Sequence, residues 1–142
     1  MEPKAVMIQV YIEQGLTESL SLTALGDGRY RAEVSSIFSG INRGDVIEAE
    51  PSTDGGIRLV KVIEQSPMVT LRWLVPEGIA ESDELGQFLE KVVAVGGCWE
   101  RALGGLLILH LPKAGGFDAH SEFKRYTGCN SPSTECHGSD NI

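Results

Sequence analysis

Three cysteines, three histidines and a short run of carboxylates are the residues of this chain that could carry chemistry. A thiol becomes a nucleophile when a base within hydrogen-bond reach ionises it, and Cys98 could be served by His110 or His120. Cys98, however, opens a strand beside Trp99 among apolar neighbours, where a thiol stays protonated. His110 lies between Leu109 and Leu111 and reads as a satisfied core or sheet-face histidine. Cys129, Cys136 and His137 could ligate a metal with one more donor, but six residues between the cysteines is not the two- to four-residue gap of a compact zinc site. Neither a catalytic set nor a metal or other cofactor is expected.

Asp45, Glu48 and Glu50 resemble a carboxylate cluster. On a strand Glu48 and Glu50 share one face about 7 Å apart, close enough to hold a cation or to work as an acid and base. The same alternation is what the wet face of a half-exposed hairpin requires, and that is the expected role. Asp54-Gly55-Gly56 is a turn, because no Lys or Ser/Thr follows at the spacing of a phosphate loop.

These groups must be positioned by short strands. Val6, Ile8, Val10 and Ile12 alternate, as do Leu20 and Leu22, then Tyr30, Ala32 and Val34 after the Gly26-Asp27-Gly28 turn. Val46 to Glu50 and Ile57 to Ile63 form a further hairpin, and the loop 35–42 is expected to tuck Ile37 and Phe38 under the sheet. Residues 1–66 therefore read as a small antiparallel β-barrel or strongly curled sheet.

Beyond Ser66-Pro67 the texture changes. Val69, Leu71, Trp73 and Val75 alternate; Ser82 caps a helix whose stripe is Leu85, Phe88, Leu89, Val92 and Val93; Gly96 ends it. A strand from Cys98, a Gly104-Gly105 turn, the wholly apolar strand Leu106 to Leu111 and a second helix near 118–126 follow. Residues 67–128 thus resemble a ferredoxin-like half with two helices on a sheet, one strand being missing or supplied by the first subdomain. The fold class is α+β. Residues 129–142, rich in Ser, Asn, Gly and Thr, read as a flexible tail.

Twenty acidic against twelve basic residues give a formal charge of −8, which repels nucleic-acid phosphates and anionic membranes and attracts a basic protein. The cations Arg29, Arg31, Arg58 and Lys61, with the ring of Tyr30, are too few to reverse that for a nucleic acid. The start has no basic n-region or apolar run long enough for secretion or a membrane span, and the odd cysteine count suits a reducing compartment, so a cytoplasmic location is expected.

The segments Leu25-Gly26-Asp27-Gly28-Arg29-Tyr30-Arg31, Gly44 to Pro51 and Ser66-Pro67-Met68-Val69-Thr70-Leu71-Arg72, with Gly97-Cys98 and the apolar strand ending at Pro112, resemble the bacterial family called domain of unknown function 4265 over residues 5–127. The resemblance departs at Ser35-Ser36-Ile37-Phe38, where that family has an Asn-x-Pro-Phe-like turn, and at Ser66-Pro67-Met68, where it has Ser-Gly-His or Ser-Gly-Asn. What it implies is architectural, since the family has no established activity.

The expected function is that of a non-enzymatic acidic binding protein, specifically an immunity protein that neutralises a bacterial toxin by covering its active site. Glu48, Glu50, Asp83 and Glu84 are the expected partner contacts, chosen for exposure and sign. The competing expectation is a small-molecule-sensing regulatory domain, with a ligand near Arg72 and Trp73 in a groove between the barrel and the helix-bearing half.

Overall fold

A computed structural model describes residues 4–13, 16–53 and 55–129. The chain divides into two compact units, 1–67 and 68–142. The fold class is α+β, as expected.

The first unit holds β1 (Ala5–Glu13), β2 (Leu16–Gly26), β3 (Arg29–Ala32), β4 (Val46–Pro51) and β5 (Ile57–Glu64). Consecutive strands pair antiparallel, and the set closes on itself through β1 and β5. That seam is parallel and short, pairing Val10 with Ile57 and Tyr11 with Arg58. The all-antiparallel expectation fails here for a topological reason: with five strands alternating in direction, the first and fifth run the same way. Gly56 opens the seam. At φ +70° a side chain would be strained, and its Cβ would run into the Gln9 carbonyl oxygen.

Inward positions pack an aliphatic core of Val10, Leu20, Leu22, Ala32, Ile41, Ile47, Ala49 and Ile57. Two expectations change. Phe38 is 59% exposed, and it is Ile41, at 0%, that plugs the barrel from this loop. Val6 is also mostly exposed, because β1 runs well beyond the two residues that pair with β5. Charge holds the loop beside that plug: the Ile37 amide donates to Glu18 Oε2 at 2.6 Å. Buried Asp45 accepts from the Asn42 amide at 2.8 Å and from the Ser66 amide at 2.7 Å, tying the turn before β4 to the segment after β5.

The second unit contains β6 (Met68–Leu74), α1 (Glu77–Ala80), α2 (Asp83–Ala94), β7 (Cys98–Ala102), β8 (Leu106–Pro112) and α3 (Ala119–Thr127). Its sheet has the order β6-β8-β7, with both outer strands antiparallel to β8. β6 and β7 therefore run parallel with β8 inserted between them, a split βαβ arrangement that is three-quarters of a ferredoxin-like sheet. β8 is buried from Leu106 to Leu111, as a central strand should be. The single turn α1, begun by Pro76, was not foreseen, since Pro76-Glu77-Gly78 also fits a loop.

The α2 start follows its sequence closely. Ser82 Oγ accepts from the Leu85 amide at 3.1 Å, with Asp83 and Glu84 in the first turn where the helix dipole favours anions. Leu85, Phe88, Leu89 and Val92 are buried against Trp73, Leu107, Leu109 and Phe123. The rings of Phe88 and Phe123 meet edge-on at 5.5 Å, and Trp73 lies 5.3 Å from Phe123. Asp118 caps α3, and Gly128 ends it in the left-handed conformation. Among the described residues no helix is long and apolar enough to cross a membrane.

Candidate functional site

The strand period sorts the sheet of the second unit into two faces. Leu71, Trp73, Leu107, Leu109, Leu111, Trp99 and Arg101 lie on the helix side, while Thr70, Arg72, Cys98, Glu100 and His110 lie on the other.

On the second face His110 bridges its two neighbouring strands. Its Nδ1 is 2.9 Å from Thr70 Oγ1 and its Nε2 is 2.6 Å from Glu100 Oε2. In the neutral ring the Thr70 hydroxyl donates to Nδ1 and Nε2–H donates to the carboxylate. Cys98 is the direct cross-strand partner of His110, so the fold does bring together the thiol and imidazole that sequence alone could not place. Both ring nitrogens are engaged and the residue is 1% exposed, which holds the imidazole in place and leaves no open approach for a substrate at that ring. His120 does not join them. It lies on α3 with its ring 5.1 Å from Trp73, on the helix side of the sheet.

An open site lies between α2 and β7, a groove of about 540 Å³. Its floor and walls are Leu85, Leu89 and Val93 of α2 with Trp99 of β7. Val93 is 55% exposed and Trp99 39%, so the end of the predicted apolar stripe faces the groove rather than the core. β7 is the outer strand beside β8 in the order β6-β8-β7 of the described strands.

The groove's rim is charged. Arg101 is held by Glu81 Oε2 at 3.5 Å and by the Gly104 carbonyl at 3.0 Å, which fixes the hairpin end. Glu90 makes no ion pair among the described residues, and the exposed Asp83 and Glu84 lie one turn before the groove's midpoint. The excess sign is negative. Ser82 is engaged as the cap, accepting from Leu85 and donating to the Ile79 carbonyl at 2.8 Å, so the lining holds no activated nucleophile.

Gly86 stands mid-helix in the same wall. A glycine there costs about 1 kcal/mol relative to alanine, and an added Cβ would meet nothing within 4 Å. No packing among the described residues calls for it. By contrast Gly97, just past α2, is required, because a Cβ there would sit 2.6 Å from the His110 carbonyl oxygen.

The expected partner contacts fall in separate places. Glu48 and Glu50 are on β4 of the barrel, where Glu48 faces Lys61 and Arg29 in register and Glu50 is 3.9 Å from Arg58. They are matched by cations across the strands, as the wet face of a hairpin would be. Asp83 and Glu84 are exposed in the second unit beside the groove. Arg72 and Trp73 are adjacent on β6 and so point to opposite faces; Trp73, at 0% exposure, is core under the helices, and Arg72 is 8% exposed. They cannot line one pocket together. Cys129 is half-buried against the second core, while Cys136 and His137 lie outside the described residues. Among the described residues no three His, Cys, Asp or Glu are grouped to hold a metal ion.

Sequence reasoning missed Trp99, Val93 and Gly86 as neighbours. The signal was present in an unexplained mid-helix glycine and in an aromatic on a strand that a three-strand order places outermost.

No family model matches the chain, and no curated protein matches it. Among solved structures it is similar to a hypothetical protein from Neisseria gonorrhoeae, described as a novel crystal structure, with a TM-score of 0.57 and 16% identity over 88% of this chain and 84% of that one. At that identity the likeness is one of fold: the α+β architecture is shared with a known structure.

Proposed function

We propose that this chain is a non-enzymatic, acidic binding protein whose partner is a basic protein, and that it acts as an immunity protein, neutralising a bacterial toxin in the cytoplasm by occluding its active site. Membership of the family called domain of unknown function 4265 belongs to the same proposal. The observation that carries the reading is the α2–β7 groove, where exposed apolar side chains are rimmed by carboxylates in excess over cations. An apolar centre with a charged rim is the anatomy of a protein-binding patch. The formal charge of −8 would steer a basic partner toward it and raise the association rate.

A second reading, small-molecule sensing, is favoured by one observation: about 540 Å³ is within the range of sites that hold metabolites. In that reading the ligand sits in the groove and not at Arg72 and Trp73.

Affinity capture from native bacterial lysate at low and high salt, followed by mass spectrometry and an assay of the captured protein's own activity, tests both. The immunity reading expects one basic protein at equal stoichiometry, inhibited by this chain and released by salt. A co-purifying metabolite with no protein would transfer support to sensing, and a captured protein whose activity is unchanged would sink the inhibitor claim.

A further inference from the structure

Resting on the basic-partner reading, we infer that the α2–β7 groove takes a basic amphipathic helix of that partner, laid along α2 with its apolar stripe on Leu89, Val93 and Trp99. Helix α2 presents two faces. Leu85, Phe88, Leu89 and Val92 close the core, whereas Ser82, Gly86, Glu90 and Val93, at i, i+4, i+8 and i+11 from the cap, continue along the groove. That second face runs for three turns, about 17 Å at 1.5 Å per residue, a length that suits another helix of three turns. Its relief suits one too. Leu85, Leu89 and Val93 form a ridge, and the neighbouring row of Ser82, Gly86 and Glu90 is low at its centre, because Gly86 has no side chain and a Cβ there would meet nothing within 4 Å. A ridge of a second helix packs into such a depression, with the exposed ring of Trp99 as the wall across from it.

Charge complementarity makes that helix a basic one. The Glu81 side chain is 79% exposed at one end of the groove, Glu90 lies toward the other, and the exposed Asp83 and Glu84 stand beside them in the first turn of α2. Among the described lining residues Arg101 is the one cation, and it is already held by Glu81 and the Gly104 carbonyl. Lysines or arginines flanking the apolar stripe of the partner helix therefore meet carboxylates along the rim, and the Trp99 ring offers its face to one of them. A second copy of this chain is disfavoured, because it would bring the same carboxylates and a charge of −8 against one another. A small amphipathic cation would use Trp99 and one carboxylate but fill a single turn of a groove three turns long.

The test uses the full chain, isotope-labelled, titrated with two blocked peptides of about fourteen residues and identical leucine, alanine and lysine content. One spaces its leucines three and four apart, and its isomer places them at every second position. The first should bind and gain helical circular dichroism over the sum of the free components, with amide shifts at Leu85, Gly86, Leu89, Glu90 and Val93, a shift of the Trp99 indole and an affinity that falls as salt rises. The alternating isomer should bind about tenfold more weakly. Gly86→Trp, which fills the depression, should weaken the first peptide about tenfold, and Glu90→Lys, a change at an exposed position, roughly threefold.

Equal binding of the two isomers, no binding of either, shifts confined to β4, or undiminished binding by folded Gly86→Trp and Glu90→Lys variants would overturn the inference. So would concentration-dependent self-association that shifts the same amides without peptide, or dodecyltrimethylammonium reproducing the whole set of shifts from Leu85 to Val93. Failure of the two readings is separable: a captured basic protein that still binds Gly86→Trp leaves the immunity reading standing and removes the groove. Absence of any basic partner in the lysate removes that reading, and this occupant with it, even where the peptide binds.

Discussion

In the barrel every core side chain is aliphatic and comes from a strand or from the 33–45 loop, whereas in 68–129 three rings, Trp73, Phe88 and Phe123, meet beneath two helices. The difference follows from topology. A sheet closed on itself encloses a narrow space that branched aliphatic chains fill. An open sheet of three strands with helices on one face leaves room at the margin between helix and strand. The open groove lies in the second unit, and the exposed Val93 and Trp99 mark it.

The largest test of this contrast is a matched pair of core truncations. Phe88→Ala should cost about 3–5 kcal/mol, since a ring in contact with two others leaves a cavity that cannot collapse; Leu22→Ala in the barrel should cost about 2–4 kcal/mol. Urea unfolding of each variant measures both. Equal and small losses would show that the ring cluster is not the tighter core.

Next comes the barrel's polar anchor. Asp45→Ala should destabilise by roughly 2–3 kcal/mol, because it removes the buried carboxylate that accepts from the Asn42 and Ser66 amides. Asp45→Asn, which keeps one carbonyl oxygen, should recover part of that loss, and the same denaturation measurement reads the recovery.

Ser82→Ala should cost about 1 kcal/mol through loss of the α2 cap. It should also loosen the groove wall, seen as faster amide exchange at Leu85 and Gly86. A cap loss without that local signature would uncouple helix start from groove.

The smallest effect is a pH dependence. The Thr23 hydroxyl, donating at 2.7 Å, holds the Glu33 carboxyl below its ordinary value of 4.5; the Arg31 guanidinium at 3.0 Å adds to this, and burial opposes it. A group depressed on folding adds stability above its unfolded value and loses it as pH falls through the folded one. Glu33→Gln should therefore be slightly less stable at neutral pH, by under about 1 kcal/mol for a side chain one-third exposed, and the gap should close below about pH 4.5. Melting curves at neutral and acid pH check the sign. A gap that widens in acid would reverse the assignment.

Period and punctuation made most of the architecture legible. The alternation of Leu20 and Leu22, the 3.6-residue stripe of α2, the Ser82 cap and the glycines at 28 and 96 are local patterns, and each element they foretold is present. His110 was also readable as a satisfied histidine, because a polar group amid an apolar strand must be paired. What chain order could not show is which element lies beside which. Val93 continues the helical stripe yet faces outward, and Phe38 is apolar yet exposed, since burial depends on what the fold places opposite a residue.

By itself the sequence determined the element types, their order, the α+β class and the negative sign of the surface, because local conformational preference and charge are carried by each residue and its near neighbours. Only the tertiary structure decided the parallel barrel seam, the meeting of Thr70, His110 and Glu100, and the groove of Trp99, Val93 and Gly86. Those depend on the strand order β6-β8-β7 and on five strands closing a ring, long-range pairings whose free energy is realised only when distant segments meet.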